Sequence, residues 1–293
     1  MKWEGNRESN NVEDRRGQGG GGGGGFGIGG RSIGIGTVVL ALIGWGVFGI
    51  NPLTTIGVLS GGGSSAPVQQ QGPAKAPPAT DQGAKFVSTV LASTEDVWTD
   101  IFTKGGAKYQ SPKLVLFTGV TRTACGTGQS AMGPFYCPAD YKVYLDMDFF
   151  NTMQRQLGAP GEFARAYVVA HEVGHHVQNL LGISGKVDGM RGRISERDQN
   201  ALSVRLELQA DCYAGVWANH SQQAKSWLEQ GDIESAMNAA QQIGDDKLQR
   251  ESTGTVRPDS FTHGSSAQRV RWFTQGFKTG SVQSCDTFQA SSL

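Results

Sequence analysis

Between Phe86 and Phe102 the apolar residues Phe86, Val87, Val90, Leu91, Val97, Trp98, Ile101 and Phe102 recur at three- and four-residue intervals. That is the spacing of one helix face, and it predicts an amphipathic helix with a possible break near Ser93 and an end at Gly105-Gly106. Lys113–Val120 reads as a strand, and 129–136 and 141–145 as two further extended segments around a turn at Pro138. A short helix is expected over Phe149–Leu157 and a longer one from about Gly161 to Leu181, stopped by Gly182. Ser195 followed by Asp198 is a helix-start signal, opening a helix to about His220. Asp232–Lys247 and Ser265–Phe277 read as further helices. A small sheet among many helices is an α+β fold.

The first third has a different pattern. Residues 1–31 are polar, then Gly-rich, with an unbroken glycine run from Gly19 to Gly25. Such a tract has little to bury, so a disordered tail is expected. From Ile33 to Ile50 the chain carries no charge. Eighteen helical residues rise about 27 Å, enough to reach across a bilayer core. Residues 32–59 are therefore expected to be an uncleaved transmembrane signal anchor; a cleaved signal peptide is disfavoured by the long, partly acidic leader. Lys2, Arg7, Arg15, Arg16 and Arg31 precede the apolar stretch, and the next base is Lys75. The positive-inside rule then puts the N-terminus in the cytoplasm and the C-terminal domain outside a bacterial inner membrane. Residues 60–84 read as a flexible linker to a domain at 85–293.

Charge and cysteine content narrow the classes. Lys+Arg and Asp+Glu are both 26, so the net charge is zero. That argues against a nucleic-acid binder, which must neutralise phosphates. Four cysteines, Cys125, Cys137, Cys212 and Cys285, suit disulfides in an exported domain. Cys125 with Cys137 would close a Gly-rich loop and Cys212 with Cys285 would tie a helix to the C-terminal tail, but three pairings are open. A zinc site of all four is disfavoured because no C-x-x-C pair occurs.

Only five histidines occur, and three fall between positions 171 and 176. His171-Glu172-Val173-Gly174-His175 is an H-E-x-x-H run inside a predicted helix. Residues i and i+4 share a helix face, so His171 and His175 can point at one ion. Glu172 sits beside that ion, where it can take a proton from a water acidified by zinc. A catalytic zinc needs a third protein ligand and an open position. Glu207 and Asp211, at i and i+4 on the next long helix, supply a carboxylate ligand and a carboxylate to orient a ligating imidazole. Val204, Ala214 and Ala218 share their face, which suits a buried site. His263 is the candidate oxyanion stabiliser, against the alternative of a surface loop histidine. Arg269 could orient a neighbour. His176 is read as structural and His220 is assigned no chemistry.

The runs HEVGHH (171–176), ELQAD (207–211) and FTHGSSAQR (261–269), with the opening MKWEGNRESNNVEDRRG and GPFYCPADYKVYLD (133–146), resemble bacterial neutral zinc metallopeptidases of the YpfJ-like group. More distantly the chain is similar to HtpX and CAAX-prenyl-protease type metallopeptidases, differing in Gly264 for their proline and in one apolar span for several. The resemblance implies a zincin-like domain of the Glu-ligand type, with one Zn2+ held by His171, His175 and Glu207, Glu172 as base and Asp211 behind a histidine. It also implies an edge strand that pairs with extended substrate, for which 130–136 is the candidate. The expected function is a membrane-anchored zinc endopeptidase acting on a peptide or protein. The rival readings are a non-catalytic envelope scaffold with a structural zinc, and a zinc hydrolase of cell-wall peptides.

Overall fold

The computed structural model describes residues 1–17, 75–129, 133–155 and 157–293. Within them lies a four-stranded sheet in the order β1 (Val12–Asp14), β2 (Lys113–Phe117), β6 (Lys142–Asp146), β5 (Phe135–Cys137). β1, β2 and β6 run parallel, and the edge strand β5 is antiparallel to β6. Alternation along β2 and β6 explains how the sheet is covered. Leu114, Leu116, Val143 and Leu145 face the helical core, while Val115, Phe117 and Tyr144 face the opposite side with Cys137. A hairpin of β3 (Val120–Thr123) and β4 (Gly126–Gln129) is tied to β5 by the Cys125–Cys137 disulfide. The predicted strand 113–120 thus ends at Phe117, and the segment expected over 129–136 belongs to two strands, with 130–132 outside the described residues.

The helices are α1 (Gln82–Lys104), α2 (Asp148–Arg155), α3 (Glu162–Leu180), α4 (Ile183–Asp188), α5 (Glu196–Lys225), α6 (Asp232–Gln242), α7 (Asp245–Thr253) and α8 (Ser266–Thr279). α1 runs through Ser93 without a break: this buried hydroxyl meets Ser221 Oγ at 2.9 Å and accepts the Trp217 indole N–H at 3.1 Å, satisfying a polar group inside the core. Ser195 caps α5 by accepting the Asp198 N–H, as its sequence signal predicts. The helix expected over Asp232–Lys247 is two helices, α6 and α7. Gly244 separates them because the backbone of Ser266 approaches there so closely that a Cβ would have no room. That contact brings the 261–265 loop against the start of α7. The second disulfide, Cys212–Cys285, ties α5 to the C-terminal segment.

The N-terminal expectation needs correction. Residues 1–17 are part of the folded body, not of a disordered tail. β1 adds to the sheet edge in parallel register, Val12 opposite Leu114, with the Leu114 N–H donating to Asn11 O at 2.8 Å and the Arg15 N–H to Leu116 O at 2.8 Å. Trp3 sits edge-on against Phe86 at 5.4 Å, and the Lys2 N–H donates to Trp227 O at 2.8 Å. Buried Glu95 of α1 accepts from Ser9 Oγ at 2.5 Å, Asn11 Nδ2 at 2.8 Å and Arg7 at 3.0 Å. The segment is held by strand addition and polar bonds instead of an apolar stripe of its own. The expected linker likewise ends early: Lys75 O accepts the Asp14 N–H, and Asp81 caps α1. The apolar stretch 33–50 and the glycine run 19–25 lie outside the described residues. Among the described residues no helix is long and apolar enough to cross a membrane.

Candidate metal centre

The centre is built where α3 crosses α5. Gly174, the second variable position of H-E-x-x-H, makes the crossing possible. A Cβ there would lie 2.9 Å from the Ala210 carbonyl oxygen, so only glycine lets the two backbones approach this closely. The close crossing brings Glu207 of α5 over the face of α3 that carries His171 and His175. His171 Nε2 lies 3.2 Å from His175 Nε2 and 3.2 Å from Glu207 Oε2, and His175 Nε2 lies 3.4 Å from Glu207 Oε1. Ligand atoms about 2.0–2.1 Å from a tetrahedral zinc are about 3.3–3.4 Å from one another. The donor set therefore fits one zinc ion, and His171, His175 and Glu207 form a cluster able to hold it.

The remaining hydrogen bonds give the same answer. Gln178 Nε2 donates to Leu206 O at 2.7 Å and Gln209 Oε1 at 3.1 Å, which leaves Gln178 Oε1 to accept from His175 Nδ1 at 2.9 Å. Asp211 Oδ1 accepts from His171 Nδ1 at 2.8 Å. With both Nδ1 protons so committed, both Nε2 lone pairs face each other and a carboxylate. Burial works against charge on either ring, yet the Asp211 and Glu207 carboxylates favour positive charge there, and a cation between the three atoms would supply it.

Asp211 is fully buried and also accepts from Tyr167 Oη at 2.5 Å and from Arg269 Nε at 2.8 Å and Nη2 at 2.9 Å. Burial would raise its carboxyl, but the Arg269 guanidinium and the His171 ring hold it down at about 2. Arg269, on α8, is itself 2% exposed. Sequence reading left its partner open, and the structure places it directly behind the carboxylate that orients His171. Tyr167, one turn before His171, was not singled out; its i−4 spacing to a ligand is the signal that could have found it.

Glu172 is 8% exposed and accepts no hydrogen bond from a described residue. Burial raises its carboxyl above the ordinary range, against the pull of His171 and His175. Its proton affinity is thus raised beside the ion site. His263 lies on the 261–265 loop, a third exposed, close enough to Glu207 for each to bias the other's charge. Its ring is steered by Asp245, a residue the sequence reading missed. Asp245 Oδ1 lies 3.2 Å from His263 Nδ1, while Oδ2 accepts the backbone N–H groups of Thr262, His263 and Gly264 at 2.7, 2.7 and 3.1 Å. A carboxylate at the first turn of α7 so fixes both the loop and its imidazole. No sequence spacing reveals this, because the bond crosses eighteen residues to main-chain donors.

His176 is buried on the other side of α3, its Nδ1 3.0 Å from Tyr136 Oη and its Nε2 2.6 Å from Gln110 O. Burial lowers its pKa to about 4. It is structural, as its direction on the helix predicts. His220 contacts Gly280 O at 2.9 Å, away from the centre.

The model of a family described as "putative neutral zinc metallopeptidase" matches residues 1–288. This chain is a member of that family. Proteins similar to it include the Escherichia coli K12 uncharacterized protein YpfJ, 52% identical over 291 residues, which covers 99% of this chain and all of the relative. The Mycobacterium bovis uncharacterized protein Mb2605 is 44% identical over 212 residues, 69% of each chain. The Mycobacterium tuberculosis H37Rv uncharacterized protein Rv2575 matches to the same extent. No solved structure matches the chain at a significant level. Family membership implies zinc, in agreement with the donor geometry.

Proposed function

We propose that the protein is a zinc-dependent endopeptidase, exported and held at the membrane through residues 33–50, in which Glu172 is the general base. The carrying observation is the three-donor cluster with a buried carboxyl next to it. A structural zinc wants four protein donors, and among the described residues only His171, His175 and Glu207 converge. A bound zinc ion would supply a Lewis acid for the carbonyl and an acidified water. Glu172 takes the water's proton and returns it to the leaving amine. His263, oriented by Asp245, donates to the oxygen that gains charge as the carbonyl is attacked. Asp211 and Arg269 keep the His171 ring in one tautomer and direction.

The substrate's place is supported by topology. β5 is the edge of the sheet, antiparallel to β6, and its far side is free of a partner strand among the described residues. Tyr136 fastens β5 to α3 through His176 and through Asn179, whose Nδ2 donates to Tyr136 Oη at 2.9 Å. An extended peptide could add to this edge by main-chain bonds. The two disulfides support export, since they persist in an oxidising compartment.

The test is zinc content and turnover together. Glu172→Gln should lose roughly 10³-fold in kcat/KM on a casein-derived fluorogenic peptide and keep one zinc per chain. Glu207→Ala should lose both zinc and turnover. Unchanged zinc in Glu207→Ala would remove that ligand, and full turnover in Glu172→Gln would overturn the mechanism. Digestion of purified peptidoglycan beside casein separates a cell-wall peptide substrate from a protein one.

A further inference from the structure

From the docking of the N-terminal segment we infer that residues 1–17 and residues 75–293 occupy the same side of the membrane, so that the apolar stretch 33–50 does not separate them. Two observations carry this. The first is that β1 is a strand of the catalytic domain's own sheet, paired with β2 over Val12–Asp14 and continued by bonds from Ser9 to Ser88 O and from Ser88 Oγ to Ser9 O. Paired strands lie about 4.8 Å apart. A single crossing between residues 17 and 75 would put roughly 30 Å of hydrocarbon between the two flanks. Both arrangements cannot hold in one molecule.

The second observation is the neck where the intervening stretch departs and returns. The Asp14 N–H donates to Lys75 O at 2.6 Å in an antiparallel bridge, and Arg16 joins Asp14 and Asp81, both at 2.7 Å. Departure and return points are thus adjacent on one face of the domain. Two crossings would need about 40 apolar residues, and the sequence between these points holds one long apolar run, 33–50. Residues 17 and 75 therefore leave the domain toward the same side of the membrane.

Three of the five bases that suggested a cytoplasmic N-terminus also have another use. Arg7 pairs with Glu95 at 3.0 Å and Asp96 at 2.6 Å, Arg15 with Glu13 at 2.9 Å, and Arg16 with Asp14 and Asp81. Inside the fold they are docking charges, which weakens their reading as a topogenic signal.

The test uses full-length protein in intact, outer-permeabilised expressing cells. All four native cysteines are in disulfides and give little background. Cysteines introduced singly at two exposed positions, Glu4→Cys and Ser291→Cys, are probed with a membrane-impermeant maleimide before and after lysis. The expected result is the same intact-to-lysed labelling ratio at both positions, within about twofold. Labelling of one with protection of the other overturns the inference. A second variant reports docking directly: Ser9→Cys with Ser88→Cys should form an oxidant-dependent cross-link in membranes, and its absence alongside efficient maleimide capture of both thiols also overturns it. Neither readout depends on zinc or turnover, so the inference can fail while the peptidase reading stands.

Discussion

Two groups of charged side chains hold this molecule together, and they differ in dryness. Beneath the metal centre, Asp211 and the Arg269 side chain are 0% and 3% exposed, with Tyr167 and His171 completing the cluster. At the N-terminal edge of the sheet, Glu13 gathers Arg15, Lys142 and Lys113, whose side chains are 13%, 21% and 55% exposed. The first group costs several kcal/mol of desolvation per ion and cannot lose one member without stranding the other. The second is partly solvated and can be dismantled piecewise. The dry cluster sits directly behind His171, one of the three residues able to hold the ion; the wet one docks a strand. Expensive burial of charge therefore marks where orientation matters, beyond mere attachment.

The largest expected effect tests the dry cluster. Asp211→Leu alone should destabilise by about 3–5 kcal/mol, because the Arg269 guanidinium is left buried and unpaired. For a domain of this size that lowers Tm by roughly 6–20 °C. Asp211→Leu with Arg269→Met should recover most of the Tm, since an apolar pair of similar volume needs no charge partner. Zinc affinity should stay about 10–100-fold weak in both, because His171 has lost the carboxylate that directs it. If the double variant recovers zinc affinity as well, the cluster serves stability alone and its buried charge does not set the direction of His171.

Next in size is His263→Ala, with an expected loss of about 10²–10³-fold in kcat, little change in KM and one zinc retained. Asp245→Asn should give a smaller loss in the same direction, because the Thr262, His263 and Gly264 N–H groups can still donate to its amide oxygen. A KM effect as large as the kcat effect would make His263 a substrate-binding group instead of a stabiliser of developing charge.

What the sequence revealed follows the range of the interactions. The convergence of His171, His175 and Glu207, with Asp211 against His171, was legible because each lies on a helix, where i,i+4 spacing fixes a shared face before any tertiary contact is known. His176 was legible as structural for the same reason. Asp245 was not, since its partners are backbone N–H groups on a distant loop. β1 was hidden more thoroughly. Val12-Glu13-Asp14 is three residues of no strand pattern, and it becomes a strand only because Asn11 O and the Arg15 N–H find partners more than a hundred positions away. A local reading of Val-Glu-Asp amid arginines sees a polar tail. The break at Gly244 was missed likewise, because the packing that requires it comes from Ser266.

The smallest effect belongs to the wet cluster and carries a pH signature. Burial alone would raise the Glu13 carboxyl, but Lys142, Arg15 and Lys113 hold it at about 2, below its ordinary 4.5. A carboxyl depressed on folding contributes stability that is fully present above its unfolded pKa and lost as pH falls toward the folded one. Glu13→Gln should therefore cost about 1 kcal/mol at pH 7. The difference between wild type and variant should shrink between pH 4.5 and about 2. Thermal melts of both proteins at pH 7 and pH 3 measure this as a difference, so acid release of zinc, common to the two, cancels. Proteolysis at the 1–17 segment should rise in Glu13→Gln at pH 7 while turnover changes little, since a loosened strand edge leaves the crossing of α3 and α5 in place. A loss of turnover matching that of the dry-cluster variants would show that the sheet edge and the metal centre are mechanically coupled, and that a partly solvated ion cluster can set ligand direction after all.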